Sequence, residues 1–105
     1  MEEDVYHTLV ELGYVIRSQV GCSGYRIDLA VVDKNHPGEF LLGIECDGAS
    51  YHNTPTARDR DRLRQQVLEK LGWNIHRIWS TDWFRNKPAQ VLLLRERIQE
   101  LQNNR

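Results

Sequence analysis

An acidic hairpin is the feature that most constrains what this chain can fold into. Two segments, residues 27–32 and 41–48, alternate apolar and polar side chains, and the residues between them are rich in turn formers. This pattern predicts two antiparallel strands joined by a turn. A turn centred between His36 and Pro37 fixes the register and places apolar pairs on one face: Ile27 with Cys46, Leu29 with Ile44 and Val31 with Leu42.

The other face of this hairpin is acidic. The same register places Asp28 opposite Glu45, and Asp47 lies on the same side because strand side chains repeat every two residues. Directly opposed side chains have Cβ atoms ~4.5–5.5 Å apart, so two ionised acids repel unless one is protonated or a cation lies between them. With small Ala30 and Gly43 beside the acids, we predict a site for a hard divalent cation, Mg²⁺ or in its place Mn²⁺.

Arginines offer an alternative explanation for the acids. Asp28 and Glu45 could each pair with a guanidinium, with Arg26 and Arg77 as candidates, and so hold strands together. We favour the metal site because three acids share the face.

Three short motifs carry a family resemblance. They are GYRID at residues 24–28, IECDG at residues 44–48 and the pair Tyr51-His52. Together they resemble the very-short-patch-repair-like branch of the PD-(D/E)xK nuclease superfamily, and in particular the endonuclease-like domain at the C-terminus of large superfamily 1 helicase-like proteins. The resemblance covers nearly the whole chain. It implies metal-dependent hydrolysis of DNA phosphodiesters, with the metal held by Asp28, Glu45 and the backbone carbonyl of Cys46.

One position departs from the family pattern. Asp47 stands where the resemblance expects a lysine, while His52 is similar in placement to a histidine that assists catalysis in the mismatch-repair branch. His52 could serve as the acid or base, with Asp47 as a further metal ligand. Otherwise the chain is a catalytically inactive nuclease fold that binds DNA or protein. A third alternative is a small metal-dependent hydrolase of nucleotides.

Polar side chains outside the hairpin provide the other candidate residues. Gln19 matches a glutamine that related nucleases often place near the metal or phosphate, and the alternative is an exposed residue at the sheet edge. The segment from Thr54 to Arg77 contains six basic residues and only three acidic ones. We predict that Arg58 and Arg62 contact DNA phosphates, and that most of the other charges lie on a solvated helix face.

The remaining segments predict a restriction-endonuclease-like α/β domain. Its three-layer core would hold a mixed four-stranded sheet flanked by helices. We expect a helix over residues 3–12, strands over residues 14–20 and 73–79, and a loop over residues 80–84. Two further helices would begin at Pro55 and Lys87. The apolar faces that we expect these helices to bury are, in chain order, Val5, Leu9 and Leu12; Leu63, Val67 and Leu71, widened by Leu68; and Val91, Leu94, Ile98 and Leu101.

Composition sets the wider context. The chain has 105 residues, 40% hydrophobic and 28% charged, which is typical of a globular domain. We expect residues 1–105 to form one endonuclease-like domain excised from a larger protein, in the cytoplasm and without a membrane partner. The net charge of −1 argues against tight DNA binding by bulk electrostatics, so covalently attached helicase-like domains would deliver it. We expect Cys22 and Cys46 to be reduced and structural.

Overall fold

A four-stranded sheet between helices forms the body of the protein. The structure is a computed structural model that describes residues 1–48 and 55–104, without the side chains of residues 55–58. In chain order the elements are α1 (Glu2–Glu11), β1 (Ile16–Cys22), β2 (Tyr25–Val32), β3 (Phe40–Asp47), α2 (Pro55–Lys70), β4 (Ile75–Trp79), α3 (Ser80–Arg85) and α4 (Lys87–Asn103).

The strands lie in the order β1-β2-β3-β4. The first three are antiparallel neighbours, whereas β4 runs parallel to β3. A parallel neighbour requires a crossover connection, and the segment that contains α2 supplies it. The mixed four-stranded sheet and the α/β class predicted from the sequence are therefore confirmed.

The predicted register between β2 and β3 is confirmed over the centre of the hairpin. Leu29 pairs with Ile44 and Val31 with Leu42, and a bulge follows at Val32. The prediction that Ile27 shares a face with Leu29 and Ile44 is wrong. A Cβ built on Gly43 would point to the opposite face of the sheet, and it would lie 3.2 Å from Cγ2 of Ile27. Alternation therefore fails at this end of the strands.

The main core lies on one face of the sheet, beneath α1, α3 and α4. Apolar side chains of β2, β3 and the edge strand β4 meet the helices there. The principal buried contributors are Leu29, Val31, Leu42, Ile44 and Ile78 from the sheet, and Val5, Leu9, Trp83, Leu94 and Ile98 from the helices. Val91 and Leu101 are partly buried against this cluster, so the predicted apolar face of α4 is confirmed. Leu12 instead follows the end of α1 and is 41% exposed.

Helix α2 covers the opposite face of the sheet, but with only one of the four apolar residues that the sequence predicts. Leu63, Val67 and Leu71 are 59%, 37% and 51% exposed, whereas Leu68 is fully buried. The prediction for α2 is therefore confirmed for Leu68 and wrong for the other three residues, because the helix lies with Leu68 and Arg64, one turn earlier, towards the sheet.

The segment after β4 also differs from the prediction. Residues 80–84, expected as a loop, lie within helix α3. The two aromatic residues of this helix have opposite environments: Trp83 is fully buried, whereas Phe84 is 69% exposed. Trp83 thus seals the core edge.

Asp4 ties α1 to the C-terminal helices. Its Oδ2 accepts a hydrogen bond from Trp83 Nε1 at 2.7 Å, and its Oδ1 accepts one from Lys87 Nζ at 3.2 Å. The hydrogen bond from Trp83, followed by that from Lys87, lowers the pKa of Asp4 below its ordinary value of 3.8. The ionised form of Asp4 is therefore the one that the folded protein favours.

Asp4→Asn is expected to lower the melting temperature at pH 7 and to have a smaller effect at low pH. A lowered pKa stabilises the fold above the unfolded pKa of 3.8, and that contribution is lost as the pH falls through the folded value. Thermal melts of both forms at pH 7 and pH 3 measure the difference. Glu3→Gln, an exposed acid in the same turn of α1, is the control. A constant difference between wild type and Asp4→Asn at both pH values would contradict the prediction.

Among the described helices, none has the length and apolar character needed to cross a bilayer.

Candidate active site

Asp28 lies where regular pairing of the sheet is interrupted. Recorded pairing of β2 with β3 begins at Leu29 and Ile44. On the other side, β1 pairs with β2 before and after Gln19, whose φ of 53° takes it out of the ladder. The Asp28 carboxylate reaches across to β3, where its Oδ2 accepts a hydrogen bond from the backbone N–H of Cys46 at 2.8 Å. An acid side chain thus takes the place of a backbone acceptor.

Glu45 is the most buried acid of the site. Its residue exposure is 3%, and its Oε1 lies 2.6 Å from Nη2 of Arg64 in α2. The same nitrogen donates to the carbonyl of Arg26. Burial raises the pKa of Glu45 to about 7, although the hydrogen bond and charge of Arg64 act in the opposite direction. Arg64 is therefore the counter-ion that supports a charged Glu45.

Asp47 is paired with a different arginine. Its Oδ2 lies 2.8 Å from Nε of Arg77, and both side chains are about one-fifth exposed. The parallel register places Arg77 beside Glu45, and its guanidinium carbon lies 6.0 Å from the ring centroid of Trp79. The arginine alternative is thus realised in part: Arg77 pairs with Asp47 and Arg64 with Glu45, while Asp28 binds a backbone amide.

The three acids open onto a common pocket of about 540 Å³. Side chains from α2 form the facing wall, among them Asp61, Leu63 and Arg64. Asp28, Glu45 and Asp47 thus line one pocket, with space in front of them. Pairing with arginines has not filled that space.

The open space is not where the small residues of the sequence suggest it. A Cβ on Gly43 would lie 2.9 Å from Ile75 Cδ1 and 3.2 Å from an atom of Trp73, and Ala30 is fully buried. Apolar packing fills this region. The expectation that Ala30 and Gly43 leave room for a cation is therefore wrong, and the available room lies between the acids and α2.

The donor set of the pocket fits a hard divalent cation. Within the described part of the chain, the contacts of Asp28 and Glu45 each engage one carboxylate oxygen, which leaves the second oxygen of each as a potential ligand. Mg²⁺ prefers oxygen ligands and usually keeps several waters, and these two carboxylates offer oxygen ligands of that kind.

A second cluster of potential ligands lies at the opposite end of the hairpin. Side-chain atoms of Asp33, His36 and Glu39 lie within 4.8 Å of one another. Asp33 Oδ2 is 2.9 Å from His36 Nδ1, and its Oδ1 accepts the N–H of Asn35 at 3.0 Å. These contacts close the turn between β2 and β3. Sequence reasoning, which assigned this segment only a turn, missed the cluster.

The thiol of Cys46 is partly buried beside the acids. Burial, with the nearby acids Asp28 and Glu2 as further causes, raises its pKa to about 12. Cys22 and Cys46 are both free thiols, and Cys22 Sγ accepts a hydrogen bond from Trp73 Nε1 at 3.3 Å.

The other predicted site residues do not join the acids in the described structure. Gln19 donates from Nε2 to Glu2 at 2.9 Å on an exposed edge and does not line the acid pocket. The Arg62 side chain is 72% exposed and lies 3.6 Å from Asp59. His52 and the side chain of Arg58 lie outside the described residues.

Arg64 is the main residue of the site that sequence reasoning missed. The predicted solvated face of α2 included it. A usable signal is its position four residues before Leu68, since residues i and i+4 share a helix face and Leu68 is the buried leucine of this helix.

Comparison with known proteins identifies the family. No curated protein matches the chain significantly. The family model REase_MTES_1575 matches residues 1–98, which include every described residue of the acid pocket. The chain therefore belongs to the restriction-endonuclease-like family REase_MTES_1575.

Proposed function

We propose that this protein is a metal-dependent DNA endonuclease, and that residues 1–105 are a single nuclease domain of a larger helicase-like DNA-processing protein. The convergence of Asp28, Glu45 and Asp47 on one pocket carries the proposal. Membership of the restriction-endonuclease-like family supports nuclease chemistry.

Asp28 and Glu45 would hold Mg²⁺, or Mn²⁺ in its place, with the carbonyl of Cys46 as a third ligand. The bound ion would supply Lewis acidity towards the phosphate and lower the pKa of an attacking water. The Cys46 N–H fixes the orientation of Asp28, and Arg64 fixes that of Glu45. Asp47, beside them in β3, would contribute as an additional ligand while Arg77 moderates its charge.

Proton transfer and DNA positioning would come from residues near these acids. The segment that carries His52 connects β3 to α2, the two elements that form the pocket walls. We propose that His52 moves a proton at the reacting phosphate or leaving oxygen. Arg58 and Arg62 of α2 would bind the DNA backbone.

A plasmid-nicking assay tests the proposal. Wild-type protein is expected to convert supercoiled plasmid to the nicked form with Mg²⁺ or Mn²⁺, and to lose that activity in EDTA. The full-length parent protein should be assayed beside the domain, because attached domains would deliver it to DNA. Absence of cleavage by both proteins would contradict the proposal.

The alternative is a catalytically inactive module that binds DNA or protein. The ion pairs of Glu45 with Arg64 and of Asp47 with Arg77 favour it, because they neutralise two acids without a metal. Calorimetric titration with Mg²⁺ and Mn²⁺ separates the two functions: the endonuclease must bind an ion at the acids, whereas the inactive module need not.

A further inference from the structure

Arg64 is held in place by contacts that use only part of its guanidinium. Nη2 donates to Glu45 Oε1 and to the backbone carbonyl of Arg26. These contacts tie the side chain to both β2 and β3. Its side-chain exposure is 20%, so the group is fixed at the pocket edge and still reachable by a ligand.

Among the described residues, no hydrogen bond engages the other nitrogens of Arg64. A guanidinium carries five N–H donors, and the recorded hydrogen bonds of Arg64 within the described chain both come from Nη2. Nε and Nη1 together retain three N–H groups. Because Arg64 lines the acid pocket, a ligand in that pocket can reach donors that no hydrogen bond among the described residues uses.

The pocket needs such a donor if it is to accept DNA. A phosphodiester is anionic, and three carboxylates repel it at short range. Arg77 also lines the pocket, but it lies in the sheet with the acids and neutralises Asp47 through Nε, whereas Arg64 faces the acids from α2. Arginine donates several hydrogen bonds to phosphate while remaining charged at every relevant pH.

We propose that Arg64 is a catalytic residue that contacts the reacting DNA phosphate while its Nη2 holds Glu45. This inference rests on the proposed nuclease function. In it, α2 supplies a positively charged side chain to the site, whereas β3 has Asp47 where the family resemblance expects a lysine. The guanidinium would draw the phosphate to the acids and stabilise the negative charge that develops during cleavage.

Binding of DNA tests the contact without requiring cleavage. We compare Glu45→Gln with the double variant Glu45→Gln/Arg64→Gln. Both proteins lack the Glu45 carboxylate, so removal of the Arg64 guanidinium from the second leaves no buried acid unpaired. Fluorescence anisotropy with a labelled duplex in Mg²⁺ gives Kd over a series of salt concentrations. The double variant is expected to bind about tenfold more weakly, with a salt slope smaller by about 0.9.

The matched control is Glu45→Gln/Lys70→Gln. Lys70 is exposed in the last turn of the same helix, outside the pocket. Its substitution removes one positive charge, as Arg64→Gln does, but the salt slope of DNA binding should stay that of Glu45→Gln. An unchanged Kd and slope in the Arg64 double variant would overturn the proposal.

Arg64→Lys tests the chemical role in the wild-type background. It retains the charge beside Glu45, so the Mg²⁺ affinity measured by calorimetry should stay within about threefold, while single-turnover cleavage falls about 10²-fold. Cleavage by Arg64→Lys at the wild-type rate would overturn the catalytic role. If wild-type protein cleaves nothing, the nuclease function fails, and the salt slope alone still decides whether Arg64 contacts phosphate.

Discussion

Asp28→Asn is expected to lower DNA cleavage about 10³-fold while leaving the protein folded. Stabilisation by a bound metal is worth several kcal/mol in the transition state, and each 1.36 kcal/mol corresponds to a factor of about ten in rate. An amide is a much poorer ligand than a carboxylate for a hard cation. The loss should therefore appear both in metal affinity and in the cleavage rate.

The fold should survive because the structural role of Asp28 needs only an acceptor. Its Oδ2 accepts the Cys46 N–H at 2.8 Å, and the amide oxygen of asparagine can accept the same bond. The substitution also removes one of three mutually repelling acids. Thermal melting of the metal-free variant should therefore resemble that of the wild type.

Single-turnover nicking and calorimetry with Mn²⁺ measure the two effects of Asp28→Asn. Glu100→Gln is the matched control, since it removes an exposed acid of α4 outside the pocket. Wild-type cleavage rates in Asp28→Asn would show that Asp28 is not a metal ligand. A large drop in melting temperature would show that its charge is structural.

Trp83→Ala is expected to destabilise the protein by about 3–5 kcal/mol, which is typical of a large aromatic residue deleted from a core. Trp83 is fully buried in the cluster beneath the sheet, and its Nε1 donates to Asp4. The variant loses both the packing and the bond that joins α3 to α1. In a domain of this size each kcal/mol lowers the melting temperature by about 4–8 °C.

Urea denaturation of Trp83→Ala and Phe84→Ala makes the comparison within one helix. Phe84 is 69% exposed, so its removal should change the free energy of unfolding by no more than about 0.5 kcal/mol. Trp83→Phe separates the two contributions, because it keeps an aromatic ring and removes the hydrogen bond to Asp4. Equal effects of the two alanine substitutions would contradict the assignment of Trp83 to the core.

Local pattern was sufficient wherever a segment packs regularly. The strand alternation and the turn at residues 33–39 gave the correct pairing of Leu29 with Ile44. The apolar spacing of α4 identified Leu94 and Ile98 as buried. In both cases one periodicity decides which side chains face the core.

Local pattern failed where the segment faces the site. The three apolar residues at four-residue spacing in α2 predicted its buried face, yet this helix turns Arg64 towards Glu45 instead. A charged inward face is favourable only because buried acids lie opposite it, and no property of the α2 sequence alone contains those acids. The same holds for Ile27, whose face depends on the irregular pairing at Gln19 and Asp28.

The sequence by itself determined the order and type of most elements and the register at the centre of the hairpin, since these follow from side-chain periodicity along single strands and helices. Tertiary structure decided which cation meets each acid and where the pocket opens. Those outcomes depend on contacts between residues distant in sequence, such as Arg64 with Glu45 and Arg77 with Asp47, and the position of α2 over the sheet brings the first of these pairs together.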